Sequence, residues 1–354
     1  MTMRDGIVEQ AGRFKKAIAS KDTSSYKVVK KDQLVVGFPI DEGVIYVQNH
    51  DVPGIMSPAY NVWDFDCNLV NPAYLELALH GPRSMAYYAD KMRGTTARRR
   101  TLTADGLCNL EIPLPSIDEQ IRVVHVLDGV RSLIKGANRQ IAELDALVKS
   151  RFVEMFGENS KWEHAPLGEH VDILVGFPFK SSGYVEEGVN ICGGLIIGQG
   201  KIDWGACKHW PSIAGYEKYL LSSDDIVIAL DRPWVKDGFK IAQVDESHLP
   251  ALLIQRTARI KAIDFNQSFV RHLLEQPEFK EHCTVKGTMV PHISNKDIAS
   301  YEVPVVPKQL QQEFASFVAE VDKSRFVARR IRETLGEYNE MTMEHVTCVK
   351  GDSL

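Results

Sequence analysis

Three groups of residues in this chain have types that could do chemistry. Asn71-Pro72-Ala73-Tyr74 could hold a target amine for methyl transfer, but such a motif works beside a glycine-rich methyl-donor site, and no G-x-G-x-x-G turn follows a strand here. Asp231, Asp237 and Lys240 could form a nuclease-like set, and His282-Cys283 could bind a metal, but neither group has the spacing that its chemistry needs. The sequence therefore predicts no catalytic residue, no metal site and no cofactor, and it predicts that Asn71-Pro72 opens a helix.

Basic residues in loop-like segments indicate a different chemistry, which is contact with a nucleic acid. Lysine and arginine side chains contact phosphates, and arginine can also read base edges. For any single residue, the alternative interpretation is a solvated surface charge. The candidate DNA-contacting residues are Arg93, Arg98, Arg99, Arg100, Lys208, Arg232, Lys236, Lys240, Lys286 and His292.

Composition narrows the class of protein. The chain has 354 residues, of which 44% are hydrophobic and 25% charged, and this is typical of a globular protein with room for two domains. The net charge of -5 disfavours a general polyanion binder but allows a local basic face. No apolar run reaches the ~18 residues that cross a bilayer, and no signal peptide is predicted. The cysteines lack C-x-x-C spacing, which predicts reduced thiols and a cytoplasmic protein.

An internal repeat defines the domain organisation. Residues 112–120 read I-P-L-P-S-I-D-E-Q, and residues 303–311 read V-P-V-V-P-K-Q-L-Q, an altered copy of the same phrase. Each copy leads into a long helical pattern, and the preceding segments also match, as residues 31–35 do with residues 224–228. Because a repeat decides the architecture, the predicted order is globular block, helix, globular block, helix.

The predicted fold class is α+β, with two similar mixed α/β domains separated by two long helices. The first domain covers residues 1–111, the first helical spacer 112–157, the second domain 158–302, and the second helical spacer with the tail 303–354. Short β-like runs alternate with short helical stretches in both domains. Residues 71–80 and 267–275 are predicted as matched helices, each introduced by a polar cap.

Each long helix carries an apolar seam at heptad spacing, typical of a helix that packs against a partner helix. The predicted seam residues are Leu127, Val130, Ile134, Ala137, Ile141 and Leu144 on the first helix, and Phe317, Val321, Ala328, Ile331 and Leu335 on the second. We predict an intramolecular coiled-coil pair, and the alternative is that each helix packs on its own domain. At about 30–35 residues, each helix would be roughly 50 Å long.

These motifs resemble the specificity subunits of type I restriction–modification systems. The phrase I-P-L-P-x-x-x-E-Q, with a helix that ends near residues 152–157, resembles their first central repeat, and residues 303–314 resemble their second. Gly287-Thr288 with Pro291-His292-Ile293-Ser294 resembles the closing segment of their target-recognition domains. Residues 54–60 resemble a segment of one class of those domains. The resemblance covers nearly the whole chain.

The resemblance implies a DNA-recognition subunit without catalysis of its own. Two target-recognition domains would each read half of a bipartite site in double-stranded DNA, and the helix pair would set the distance between the halves. The helices would dock two methyltransferase subunits, which flip out and methylate an adenine, and endonuclease or translocase subunits could join. The alternative is a protein-assembly scaffold with degenerate recognition domains, which does not read DNA sequence.

The first block departs from the family pattern. The tryptophan and L-G segment that starts the second block, from Trp162 to Gly168, has no counterpart in the first. Tyr219 of the second block matches Tyr26, which has far fewer residues before it. We therefore expect a first domain that is shortened on its N-terminal side.

Overall fold

Each of the two repeats lies at the start of a long helix in the structure, a computed structural model. The structure describes residues 1–2, 5–9, 22–94, 96, 100–157, 162–236, 238–283 and 291–348. The chain divides into unit 1, which is Met1–Ile141 with Phe326–Leu354, and unit 2, which is Ala142–Arg325. Each unit therefore contains one globular block and a part of both long helices.

Unit 1 is built from small antiparallel sheets and short helices. Its strands are β1 Lys27–Val29, β2 Leu34–Val36, β3 Ile45–Val47, β4 Gly54–Met56 and β5 Asn61–Trp63, and its short helices are α1 Pro72–Leu79, α2 Pro82–Lys91 and α3 Ala104–Cys108. β2 lies between β3 and β5, while β1 pairs with β4. Leu34 and Ile45 of the sheet pack with Leu79 and Tyr88 of the helices, so sheet and helices share one core.

The long helix α4, Ile117–Phe156, connects the two blocks along the chain, and unit 2 follows with a larger set of sheets. The strands of unit 2 are β6 His164–Pro166, β7 Val171–Val175, β8 Val189–Cys192, β9 Lys208–Trp210, β10 Ile226–Ala229, β11 Trp234–Val235, β12 Gly238–Phe239, β13 Ile241–Gln243, β14 Ala251–Leu253, β15 Thr257–Ala262 and β16 Glu302–Pro304. The remaining helices are α5 Gln267–Leu274, α6 Pro277–His282, α7 Asn295–Ala299 and the long α8 Lys308–Cys348. The central sheet has the order β13-β10-β15-β7, and a second sheet has the order β14-β8-β9, in which β14 and β8 are parallel. Phe269 of α5 packs in one core with Ile226 and Ile260 of the central sheet.

The repeat predicted from the sequence is visible at the centre of both units. β2 is flanked antiparallel by β3 and β5, as β10 is by β13 and β15. Asp32 and Asp224, just before the middle strands, have positive φ angles of 62° and 70°. Their backbone N–H groups donate to Gln48 O at 2.8 Å and to Val244 O at 3.0 Å, each just past the neighbouring strand. The structural match is thus Asp32 with Asp224, one residue away from the match drawn in the sequence.

The units differ in the strands around this shared centre. Among the described residues of unit 1, no strand corresponds to β7, β8 or β9. In unit 2, Leu252 of β14 pairs with β8 on one side and with Leu220 on the other, and it is fully buried. The corresponding pair in unit 1, Val28 and Ile55, is 61% and 53% exposed. The described part of unit 1 therefore lacks the layer that covers this strand pair in unit 2.

In unit 1, α4 and α8 pack on each other and run antiparallel. Leu127 of α4 clusters with Met343 of α8, whereas Val124, one turn earlier in α4, also packs with Val346, later in α8. Leu77 of α1 belongs to the same cluster as Leu127, so the helix pair also contacts the globular block.

The helices are antiparallel in unit 2 as well. Phe156, near the end of α4, contacts Phe314, near the start of α8, with ring centroids 5.5 Å apart. Further along both helices, the Arg325 guanidinium lies 2.8 Å from the Asp145 carboxylate. The Phe156 ring also lies 4.9 Å from Phe269 of the globular block. The predicted intramolecular pair is confirmed, and the helices also pack on the blocks, so the two alternatives are not exclusive.

The seam of α4 follows the predicted spacing, and both helices are longer than expected. Leu127, Val130 and Ala137 are buried, while Ile134, Ile141 and Leu144 are half-buried. α4 has 40 residues and α8 has 41, which makes each about 60 Å long at 1.5 Å per residue. The described helices include none that is long and apolar enough to span a membrane.

The seam of α8 differs in phase from the prediction. Val321 and Ala328 are buried and Phe317 and Leu335 are half-buried, but Ile331 is 46% exposed and lies outside the seam. Every second position of the seam lies one residue later than a search for apolar spacing places it. These positions are Val318, Arg325, Arg332 and Asn339, and each side chain is less exposed than that of the preceding residue. Polar residues occupy most of these positions, and a search for apolar spacing therefore selects their apolar or small neighbours.

Candidate functional site

A buried glutamine from the first repeat fixes α1 of unit 1 to the start of α4. Gln120 has no exposed surface. Its Oε1 accepts from the Asn71 N–H at 2.8 Å, and its Nε2 donates to Leu69 O at 3.0 Å and to Pro115 O at 2.8 Å. The Asn71 side chain in turn accepts from the N–H groups of the first turn of α1, including that of Tyr74. The prediction that Asn71-Pro72 opens a helix is confirmed, and the amide oxygen of Asn71 is occupied by that capping role.

Unit 2 repeats this arrangement at the second repeat. Gln311 is 1% exposed, its Oε1 accepts from the Asn266 N–H at 2.7 Å, and its Nε2 donates to Val306 O at 2.7 Å. The Asn266 side chain caps α5 by accepting from the backbone of Ser268 and Phe269. The repeated phrase is therefore a structural joint, which holds each block on its long helix.

A cavity of about 580 Å³ in unit 2 brings several candidate residues together. Lys208 at the start of β9, Arg232 after β10 and Lys240 before β13 line it. Arg256, in the turn between β14 and β15, lines it too. These cationic side chains around one concavity suit an anionic ligand, although the chain as a whole carries a net charge of -5.

Two of these arginines lie on backbone that residues other than glycine rarely adopt. The φ angle is 45° at Arg232 and 64° at Arg256, and such a conformation costs of the order of 1–3 kcal/mol. The Arg232 N–H donates to Pro291 O at 2.7 Å, and Leu230 N–H donates to Arg256 O at 2.9 Å. The surrounding hydrogen bonds therefore hold both residues in place, and strained positions of this kind are concentrated at functional sites.

The four cations are not equally available to a ligand. The Arg256 guanidinium lies 2.5 Å from the Asp231 carboxylate, yet its side chain remains 67% exposed. Lys240 donates through Nζ to Gly194 O, and burial, followed by the positive charge of Arg232, lowers the pKa of Lys240. Lys240 therefore supports the loop that follows β8, while Lys208 and Arg232 are exposed at the cavity wall.

The other predicted residues of unit 2 lie around the cavity or outside the described part of the chain. His292 is exposed, and its backbone pairs with Asp231 beside Arg232. Lys236 is exposed between β11 and β12 but does not line the cavity. Lys286 lies outside the described residues.

In unit 1 the structure gives one predicted DNA-contacting residue, Arg100, partners within the protein. The Arg100 side chain is only 22% exposed, and its guanidinium binds the carboxylates of Asp41 and Glu42. Its backbone carbonyl also accepts from the Ile40 N–H at 3.0 Å. Arg100 therefore holds the segment 40–42, and these ion pairs compete with the predicted contact to DNA. Arg93 is exposed, whereas Arg98 and Arg99 lie outside the described residues.

Among the residues that line the cavity, sequence reasoning missed Leu195, Gln255 and Arg256, which have exposed side chains. A signal existed for Gln255 and Arg256, because the β-like runs 252–254 and 259–262 predict two strands, and the short segment between them contains both residues. Leu195 gives no such signal, since a leucine after two glycines is not expected to be exposed. Within the described residues, no group of three or more His, Cys, Asp and Glu side chains could hold a metal ion.

Comparison with known proteins gives relatives of one kind. Over 257 residues, the chain is 28% identical to the type I restriction enzyme MjaVIII specificity subunit of Methanocaldococcus jannaschii, covering 66% of this chain and 60% of that protein. It is 32% identical over 182 residues to the type I restriction enzyme EcoAI specificity subunit of Escherichia coli, covering 49% of this chain and 31% of that protein. The chain thus spans less than two thirds of the length of these relatives. No family model matches it.

Solved structures give the same answer for the fold. A chain from a structure of complex assembly and conformational transition in the type I R-M system superposes with a TM-score of 0.55 at 19% identity, covering 94% of this chain and 85% of that one. The S subunit of a type I restriction–modification system from M. genitalium superposes with a TM-score of 0.54 at 15% identity, covering 91% and 84%. The resemblance to type I restriction specificity subunits is confirmed, and this chain is homologous to them.

Proposed function

We propose that this chain is a non-catalytic DNA-recognition subunit of a type I restriction–modification complex. Its relatives are named specificity subunits of type I restriction enzymes. The observation that carries the proposal is the cavity of unit 2, where Lys208, Arg232 and Arg256 surround one concavity on backbone held by internal hydrogen bonds. Basic side chains in that arrangement would bind the phosphates of double-stranded DNA.

The site in DNA would be bipartite, because the chain contains two blocks of related fold. Unit 2 would read one half through the cavity. Unit 1 would contribute less, since its described part lacks the strands equivalent to β7, β8 and β9 and its Arg100 is occupied by Asp41 and Glu42. The long helices would set the spacing of the two halves, so four residues inserted into α4, about one turn, should change the spacer. An unchanged spacer would contradict this role of the helix.

The methyltransferase subunits would dock on exposed apolar side chains of the long helices. In unit 1, Val327, Ile331, Tyr338 and Met341 of α8 are 56%, 46%, 48% and 68% exposed. At 100° per residue they lie on one face of the helix, away from the seam. An exposed apolar stripe of this kind is typical of a protein interface. Endonuclease or translocase subunits would join the complex that results.

Co-purification tests this docking face. A double Ile331→Asp and Tyr338→Asp variant, co-expressed with the methyltransferase subunit of the same system, should lose that subunit on gel filtration. Glu340→Lys is the matched control, because it changes charge on another face of the same helix. Retention of the methyltransferase by the double variant would place its docking site elsewhere.

The recognition role is tested by mapping methylated adenines in a methylation-free host that expresses this chain with its methyltransferase subunit. A motif with a defined half-site, whose methylation falls in Arg232→Ala and is kept in Lys218→Ala, an exposed lysine outside the cavity lining, supports the proposal. The competing role is an assembly scaffold that ignores DNA sequence. In that case duplex binding would show no sequence preference and little dependence on salt, whereas a DNA-binding protein loses affinity with a slope of about -0.9 per phosphate contact in log K against log salt.

A further inference from the structure

The turn between β14 and β15 presents Gln255 at the cavity. The Gln255 N–H donates to Phe177 O at 2.8 Å, and the next residue, Arg256, has a φ angle of 64°. Thr257 closes the turn by donating its hydroxyl to Ile254 O at 2.5 Å. These hydrogen bonds fix the backbone of the turn. The Gln255 side chain therefore projects from a rigid support.

The amide of Gln255 is exposed, and it makes no hydrogen bond within the described residues. Other glutamines of unit 2 are used inside the fold. Gln267 donates to Ile260 O at 2.9 Å, and Gln276 donates to His272 O at 2.8 Å. Gln255 therefore offers a free donor and a free acceptor to a ligand in the cavity.

Leu195 is a second cavity residue whose side chain is exposed and could contact a ligand. Its side chain is 97% exposed, an extreme value for a leucine. The loop that carries it is fixed, because Ile196 N–H donates to Gly193 O at 3.1 Å and Lys240 donates to Gly194 O. An apolar side chain held in water beside cationic residues is unfavourable for the free protein, and a ligand that covers it would remove that cost.

We propose that Gln255 and Leu195 read an A·T base pair in the major groove, and this inference rests on the proposed function above. A glutamine amide matches the N6 donor and N7 acceptor of adenine, and an apolar side chain contacts the methyl group of thymine. Lys208 and Arg232 at the cavity wall bind the flanking phosphates, which positions the amide without reading sequence. Lys240 acts as a positioning residue, since its ammonium group holds the loop of Leu195.

The test is a change of specificity at one base pair. Gln255→Glu removes the donor and leaves an acceptor, which suits the exocyclic amine of cytosine. In the methylation-mapping assay with the full chain and its methyltransferase, one A·T pair in the half-site of unit 2 should become C·G. Gln255→Ala should relax the same position, with a loss of discrimination of about 5- to 150-fold. Leu195→Ala should weaken the preference for thymine at the same base pair.

Controls separate this inference from the proposed function. Gln312→Glu makes the same change at an exposed glutamine outside the cavity lining, and it should leave the motif unchanged. If the wild-type chain gives a motif that depends on Arg232 but survives Gln255→Glu and Gln255→Ala, base reading by Gln255 is overturned and the proposed function stands. If the wild-type chain gives no sequence preference, both are overturned. Thermal melts equal to wild type confirm that the variants fold, as expected for an exposed side chain.

Discussion

The buried glutamine of each repeat gives a prediction whose size can be worked from the structure. Gln120→Met keeps the length and apolar stem of the side chain but removes the acceptor of the Asn71 N–H and the donor to two carbonyl groups. A polar group left unpaired costs about 1–3 kcal/mol, and carbonyl groups tolerate this better than N–H groups. We therefore expect a loss of roughly 2–3 kcal/mol in the local stability of α1, or about 30- to 150-fold in its opening equilibrium.

Hydrogen exchange followed by mass spectrometry measures this loss where it occurs. Peptides that cover residues 71–80 should exchange faster in Gln120→Met, and peptides that cover residues 266–275 should not. Gln311→Met should do the reverse by a smaller factor, because Gln311 makes two of these hydrogen bonds where Gln120 makes three. Gln140→Met is the control, since Gln140 is an exposed residue of the same helix. Equal exchange in Gln120→Met and the control would refute the view that the repeat is a joint.

Further predictions concern charge, edges and pH. Arg100→Ala should lower the melting temperature of the protein by several degrees, because it leaves the Asp41 carboxylate, which is only 15% exposed, without its ion-pair partner. An unchanged melting temperature together with weaker DNA binding would instead favour the role of Arg100 as a DNA contact. We expect the exposed strand pair of β1 and β4 to promote self-association at high protein concentration, and Ile55→Lys should reduce it in sedimentation experiments, since a charge blocks the pairing of an exposed apolar edge strand. An unchanged sedimentation profile would count against that edge. Burial lowers the pKa of His272, so the unfolded chain binds the proton at higher pH and stability should fall as pH drops below about 6.5. His272→Gln should flatten that part of the stability curve in urea titrations, and an identical curve would show that His272 does not contribute.

The fold was predictable where one interaction repeats along the chain. The seam of α4 follows its apolar residues because Leu127, Val130 and Ala137 are buried, and Leu127 packs with Met343 of the partner helix. The seam predicted for α8 differs in phase from the observed seam, because Arg325 occupies a seam position. Arg325 can do so because its guanidinium pairs with Asp145 of the other helix. A hydrophobic pattern contains no information about that tertiary partner, and its phase fails at such positions.

The candidate site was less predictable because charge alone does not tell a bound side chain from a free one. Arg100 and Arg232 look alike in the sequence, because each lies in a loop-like segment that contains other basic residues. In the structure, Arg100 meets the acidic segment that follows residue 40, far away in the sequence, and its charge is neutralised there. Arg232 has its backbone fixed and its side chain exposed. Only the long-range fold separates these two outcomes.

The comparison of the two units indicates which parts of the repeat can vary. Both units keep the capping asparagine, the buried glutamine and the aspartate with positive φ before the central strand. The asparagine and the glutamine satisfy buried backbone atoms through their side chains, so the loss of either would leave unpaired polar groups inside the fold. The strands β7, β8 and β9 lie outside that centre, and the described part of unit 1 folds around the same centre without counterparts to them. The exposed Ile55 marks where such a layer would attach. The joint between block and helix is therefore the part that both units share. The layer formed by β7, β8 and β9, which contributes to the cavity, is present in unit 2 and has no counterpart in the described part of unit 1.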